Sequence, residues 1–288
     1  MMTTTTDKHK ESTSTPTPTS TATQTPLAQY GLPGPLLLGS ASFTRKLILD
    51  EMGIPYTKFV RPINEKLIGT RDGGGAGGAA SPPNPTELVL LVAHAKMDRL
   101  VHELQQQEEL PDEVTNLEQG CVVLTGDQVV LCRNTILEKP DSVAEAQNFV
   151  EMYVTHPPST IGSCVLYHHP SGIRVSGTDT ATIHFNATTL GANASSSKSS
   201  SEGGTTTPTT TTIPAAHALI TDLLALNQPV LSCAGGLMIE HPLVQRHILS
   251  IEGTEDSVMG LSKQLVLTLF EELQAKLAAA GTEDADEP

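Results

Sequence analysis

Tryptophan is missing from this chain, and Tyr and Phe together supply only 3% of its 288 residues. Any core must therefore be assembled from Leu, Val, Ile and Ala. Basic residues are also scarce: 17 Lys and Arg stand against 32 Asp and Glu, a formal net charge of −15. General nucleic-acid binding and membrane-surface binding both need a basic face, so both are excluded, although a local basic pocket is not. Much of the acidic excess falls in Glu103 to Glu118 and Glu283 to Glu287, which read as solvated segments. Cys121, Cys132, Cys164 and Cys233 are far apart and form no C-x-x-C pair. Their spacing offers no chelate or disulfide framework, so a redox or zinc protein is excluded and buried free thiols are expected. No apolar run reaches the length of a membrane span, and the N-terminal stretch has neither a secretory core nor the arginines of a transit peptide. These absences together point to a cytoplasmic protein.

The remaining composition divides the chain. Residues 1–33 are expected to form a disordered tail, because Thr, Ser, Pro and Gln there bury too little apolar area to offset chain entropy. Order is expected from Gly34, over a domain spanning 34–279, followed by an acidic tail at 280–288. Two Gly- or Ser/Thr-rich inserts, about 71–85 and 191–212, read as unstructured. The first contains a formal G-x-G-x-x-G, but no strand leads in and Pro82, Pro83 and Pro85 block a helix leading out.

Within the domain, strands are expected at 35–39, 56–60, 122–124, 160–167, 173–185, 230–233 and 248–251. Helices are expected after Ser42, after Thr86 as N-cap, after the Ser142-x-x-Glu145 capping box, over 216–226, and along Leu265, Leu269, Leu273 and Leu277. The 252–262 stretch reads as a loop, and Glu103 to Gln119 as a loop or frayed helix end. This alternation indicates an α/β fold.

The chain is organised around Val122 to Pro140. A β-branched strand runs into Thr125-Gly126-Asp127, delivering a carboxylate at a strand end, and Lys139 follows against Pro140 on a stiffened loop. An acid able to hold Mg²⁺ or activate water, facing an ammonium that neutralises phosphate, is what a phosphate-and-metal site needs. An ordinary Gly-Asp turn with a surface Lys-Pro fits the same residues. Earlier, Ser40, Ser42 and Arg45 lie between a strand and a helix start, where backbone N–H groups and the helix dipole favour an anion. Ser40 or Ser42 also fits as a simple N-cap. Lys96 flanks an apolar helix stripe, the usual place of a snorkelling lysine.

Several of these modest signals follow one another in a familiar order. The chain resembles the Maf family, septum-formation-inhibitor-like nucleoside triphosphate pyrophosphatases. Ser40-Ala-Ser42-Phe-Thr-Arg45 matches the family's S-x-S-x-x-R, Asn64-Glu65 its Asp-Glu, Ala93-His-Ala-Lys96 its A-x-x-K, and Gly126-Asp127-Gln128-Val-Val130 its D-T/Q-V-V. Lys139-Pro140 matches its K-P, Cys233-Ala-Gly-Gly236 its A-G segment, and Val258-Met-Gly-Leu261 its V-x-G-L-P. The resemblance implies a mixed, elongated sheet flanked by helices, inosine-triphosphatase-like (ITPase-like), with two lobes around a central cleft and often a homodimer. It implies hydrolysis of a nucleoside triphosphate between the α- and β-phosphates with Mg²⁺ or Mn²⁺. By position, Asp127 is the base or metal ligand, Glu65 helps hold the metal, and Ser40, Ser42, Arg45, Lys46, Lys96 and Lys139 bind phosphates. Gln128 and Glu240 match the branch acting on 7-methyl-GTP more closely than the dTTP/UTP branch, and Glu240 would pair with the N7-methylated base. The chain departs from the family at Lys46 (a second arginine in many members), at Asn64, at Ser262 and at Val154 to Pro158. A catalytically weak nucleotide-binding scaffold on the same fold is the alternative.

Overall fold

The computed structural model describes residues 27–68, 84–106, 110, 120–191, 193–196 and 211–283. The chain runs β1 (Leu36–Leu38), α1 (Phe43–Glu51), β2 (Tyr56–Lys58), α2 (Pro85–Gln106), β3 (Cys121–Thr125), β4 (Gln128–Cys132), β5 (Thr135–Leu137) and α3 (Val143–Tyr153). It continues through β6 (Ser159–His169), β7 (Arg174–Phe185), α4 (Ala187–Leu190), β8 (Asn193–Ser196), β9 (Thr211–Pro214) and α5 (Ala215–Ala225). The last elements are α6 (Pro242–Gln245), β10 (Ile248–Glu252), α7 (Glu255–Met259) and α8 (Lys263–Glu283). The α/β class and the mixed sheet expected from the sequence are what the chain adopts.

An eight-stranded sheet runs β10-β7-β6-β3-β1-β2, with β4 paired to β6 and β5 to β4. The β2-β1-β3 part is parallel, because α1 and α2 cross over between its strands, and the rest is antiparallel. Strand alternation assigns each face a partner. Leu36, Leu38, Val122 and Leu124 pack with α1 and α8 residues such as Ile48 and Phe270. Leu37, Cys121 and Val123 pack with Ala93, Met97 and Leu100 of α2 on the other face. A further core joins Val130, Leu137, Phe149, Tyr153, Ile183 and Leu219, with Tyr153 stacked on Phe185 at 5.7 Å between centroids.

The split of the sheet positions everything else. Strand β6 pairs β3 through 165–169 and β4 through 159–162, both on the same side. Between those two ladders lie only Gly126 and Asp127, so the acid stands where one strand leaves β6 and the next arrives.

Several elements differ from the sequence expectations. Leu27 and Leu32 are fully or nearly fully buried and Ala28–Tyr30 forms a 3₁₀ turn, so packing begins before Gly34. Asn84 rather than Thr86 caps α2: its Oδ1 accepts from Thr86 N at 3.0 Å, with Pro85 as the first helical residue. Helix α2 turns Val89, Ala93 and Met97 inward and leaves Leu91 54% exposed. It also continues to Gln106, because Glu103 is buried in ion pairs to Arg61 and to Arg99 (2.7 Å). Val230–Ser232 is a 3₁₀ turn, not a strand, initiated by the fixed φ of Pro229. The expected 252–262 loop contains α7, capped by Thr254. Helix α8 extends past 279 to Glu283. The ends of the second insert pair as the β8–β9 ribbon. The tail before Leu27, the first insert over 71–83, the 111–119 stretch, residues 197–210 and 284–288 lie outside the described residues.

Candidate active site

Asp127 is fixed by its backbone. Its N–H donates to Ser163 Oγ at 3.1 Å, and its carbonyl accepts from Ser163 N at 2.9 Å. The Ser163 hydroxyl donates to the Val89 carbonyl of α2 at 2.8 Å. Gly126 must be glycine: a Cβ there would sit 2.5 Å from the Ser163 carbonyl oxygen. Thr125 Oγ1 donates to the Ala93 carbonyl at 2.9 Å. Strands β3 and β6 thus grip the backbone of α2 at two points, which sets Lys96 one turn further on beside Asp127.

Lys96 Nζ is 2.8 Å from Asp127 Oδ1 and 2.9 Å from Glu65 Oε1. Its side chain is only 16% exposed, so it is a cleft residue and not a snorkelling one. Glu65 arrives on a 3₁₀ turn (Glu65–Leu67) beyond β2.

Arg45 is buried and joins three segments. Its Nη1 donates to Ser40 Oγ and to the Gly126 carbonyl, each at 3.0 Å, and its Nε donates to the Gly260 carbonyl at 2.9 Å. Burial lowers its pKa, while Asp127, Cys164 and Glu65 pull in the opposite direction; an arginine remains charged under these conditions. Ser42 caps α1, accepting from Arg45 N at 3.4 Å, and Ser40 Oγ accepts from Ser42 N at 3.3 Å. The N-cap reading therefore holds for Ser42.

From the other lobe, Lys139 follows β5. Its loop is held to the 234–236 turn by Gly235 N donating to the Glu138 carbonyl at 3.0 Å, and Tyr153 Oη donates to the Gly235 carbonyl at 2.8 Å. Cys233 lies by Glu240 and Lys139; burial and then Glu240 push its thiol up to about 11, against Lys139. Burial likewise holds Cys121 and Cys164 as thiols, at about 12.

One cleft of about 540 Å³ is lined by Ser40, Ser42, Arg45, Glu65, Lys96 and Asp127 on one side and by Lys139 and Glu240 on the other. Lys46 does not line it. Gln128, which the sequence marked only as a substrate-branch signal, does, as do Arg61 and the apolar Leu237, Met238 and Ile239, which sequence reasoning did not assign. Arg61 lies over the Phe59 ring at 4.8 Å and pairs with Glu103; its only sequence signal is a cation next to a proline at a strand end. Gln128 Nε2 donates to the Val258 carbonyl at 2.7 Å, tying β4 to α7. Ser163 had no motif to reveal it, since its role depends on a register between strands far apart in sequence.

Glu65 and Asp127 present hard oxygen donors around one cation position, so these residues fit Mg²⁺ or Mn²⁺. Among the described residues no group of three or more His, Cys, Asp or Glu could hold a metal. Two carboxylates with the remaining positions left to phosphate oxygens is how Mg²⁺ is commonly held. Among the described residues no helix is long and apolar enough to cross a membrane.

A family model described as Maf-like protein matches residues 35–273. A Dictyostelium discoideum protein named 7-methyl-GTP pyrophosphatase is 27% identical over 239 residues, covering 83% of this chain and 97% of that one.

Proposed function

Since the chain belongs to the Maf family, we propose that it hydrolyses a nucleoside triphosphate between the α- and β-phosphates, releasing a nucleoside monophosphate and pyrophosphate. The observation that carries this reading is the convergence of Asp127, Glu65, Lys96, Arg45, Ser40 and Lys139 on a single cleft. A triphosphate brings about four negative charges to an already acidic protein, and phosphoryl transfer is accelerated chiefly by positioning and charge neutralisation. Lys96 and Lys139 supply cations from opposite walls. Arg45 orients Ser40 and the Gly126 turn while adding its own charge. Asp127, held rigidly by Ser163, takes the proton from attacking water. Glu65 and Asp127 would hold a divalent ion, which would supply Lewis-acid neutralisation of the phosphates when bound.

We further infer that the favoured substrate is 7-methyl-GTP rather than dTTP or UTP. Glu240 lines the cleft from the lobe opposite Asp127, half-buried among Leu237, Met238 and Ile239. A carboxylate in that setting suits the positive ring of an N7-methylated guanine, and the Dictyostelium relative's printed activity agrees.

Pyrophosphate release from a nucleotide panel with Mg²⁺ tests both levels. The expected order is 7-methyl-GTP well above dTTP and UTP, with Asp127→Asn lowering kcat by roughly 10²–10⁴. The reverse order removes the Glu240 argument. No pyrophosphate from any nucleotide at ample metal, with binding retained, supports a nucleotide-binding scaffold instead.

A further inference from the structure

Lys96 occupies the position between Asp127 and Glu65 that a divalent ion would need. Its ammonium lies 2.8 Å and 2.9 Å from the two carboxylate oxygens and 3.4 Å from the Gly126 carbonyl. A dication sharing both oxygens brings them closer than an ammonium does, since Mg²⁺ sits at about 2.1 Å from its ligands. The ammonium and the dication would then repel each other across a few ångströms in a partly buried site. Lysine carries its charge on a flexible four-carbon stem, so it can move away without disturbing α2, whose backbone is pinned by Thr125 and Ser163.

We propose that Lys96 is a built-in counter-ion with two positions: held by Glu65 and Asp127 in the empty cleft, and turned onto the substrate's phosphates when a divalent cation takes those carboxylates. This deepens the pyrophosphatase reading and rests on it. The first position keeps two carboxylates in one cleft wall neutralised without metal. The second supplies a cation just as the phosphates arrive, so metal and substrate assist each other's binding. A lysine that served only to bind phosphate would have no reason to oppose metal in the empty cleft.

Mn²⁺ binding to the nucleotide-free protein, followed by the electron paramagnetic resonance of free Mn²⁺, tests this apart from turnover. Removing the competing charge in Lys96→Met is expected to tighten Mn²⁺ about ten-fold, while Lys96→Arg stays at or below wild-type affinity. Equal or weaker Mn²⁺ binding by folded Lys96→Met overturns the proposal, as does the same ten-fold gain in Lys96→Arg. Should Lys96→Met not fold, the wild-type protein decides. Its Lys96 Nζ resonance, assigned by its loss in Lys96→Arg, is expected to shift on titration with Mg²⁺ alone. A resonance unmoved at saturating Mg²⁺ overturns the proposal. Failure of the nucleotide panel alone would instead remove the pyrophosphatase reading, because neither metal titration contains nucleotide.

Discussion

Ser163 carries no charge and does not itself line the cleft, yet it fixes Asp127, the acid on which the proposed chemistry depends. Its hydroxyl links Asp127 N to the Val89 carbonyl, so Ser163→Ala leaves the buried Asp127 N–H without its acceptor. The expected cost is about 1–3 kcal/mol of stability, read by urea unfolding, with kcat falling more than KM changes. Arg45→Lys is expected to lower both thermal stability and activity, because an ammonium lacks the planar fork that reaches Ser40, Gly126 and Gly260 together. Differential scanning fluorimetry beside the pyrophosphate assay checks it. Ser40, Arg45, Asp127 and Lys139 were legible because each stands in a short pattern with its own physical meaning, whereas Lys96 read on its own as a snorkelling lysine and only the family resemblance put it at the site. Ser163 and Arg61 were not, since their partners Asp127 and Glu103 lie 36 and 42 residues away and only pairing in three dimensions joins them.

At the scale of elements, local signals were reliable where a cap or stop was written in the chain. Ser142 Oγ accepts from Glu145 N at 3.1 Å, the first half of a capping box, while Glu145 Oε2 accepts from Asp141 N at 2.7 Å, one residue before the N-cap. Ser142→Ala is expected to cost about 1 kcal/mol, measured by chemical denaturation, with turnover unchanged. Helix α7 was hidden because five residues give too short a period to detect, although Thr254 and Gly260 bracket it. Gly260 closes it at φ 106°, and a Cβ there would lie 2.2 Å from Gln128 Oε1. Its carbonyl also holds Arg45, so an end-of-helix glycine sets a cleft cation. The β4–β5 turn was missed for a related reason: Arg133 and Asn134 both take positive φ, 53° and 64°, with no glycine to announce it. The 3₁₀ turn at Val230 has the composition of a strand, and Pro229 overrides it.

For the whole molecule, the class of fold followed from alternating elements, but the branching of β6 between β3 and β4 did not, because register is invisible to periodicity. Stability should fall on mild acidification. Burial lowers the pKa of His168 and of His169, with His169 further lowering His168, and His168 Nε2 and His169 Nδ1 have no hydrogen-bond partner among the described residues. Below the ordinary value of about 6.5 the unfolded chain takes up protons that the folded one does not, so stability is full above that pH and declines below it. Urea midpoints across pH 5 to about 8 should trace this decline, and His169→Gln should reduce it.

The long β6–β7 pair passes through both halves of the molecule, with Cys164, Leu166 and Val175 in one core and Ala181, Ile183 and Phe185 in the other. Opening and shutting the cleft like jaws would require bending that hydrogen-bonded ladder, which has no interruption in register from Ser159 to Tyr167. That ladder makes the cleft a fixed vice rather than a clamp, so adjustment to a ligand would fall to side chains and the loops bearing Glu65 and Lys139. Small-angle scattering curves with and without nucleotide should superimpose.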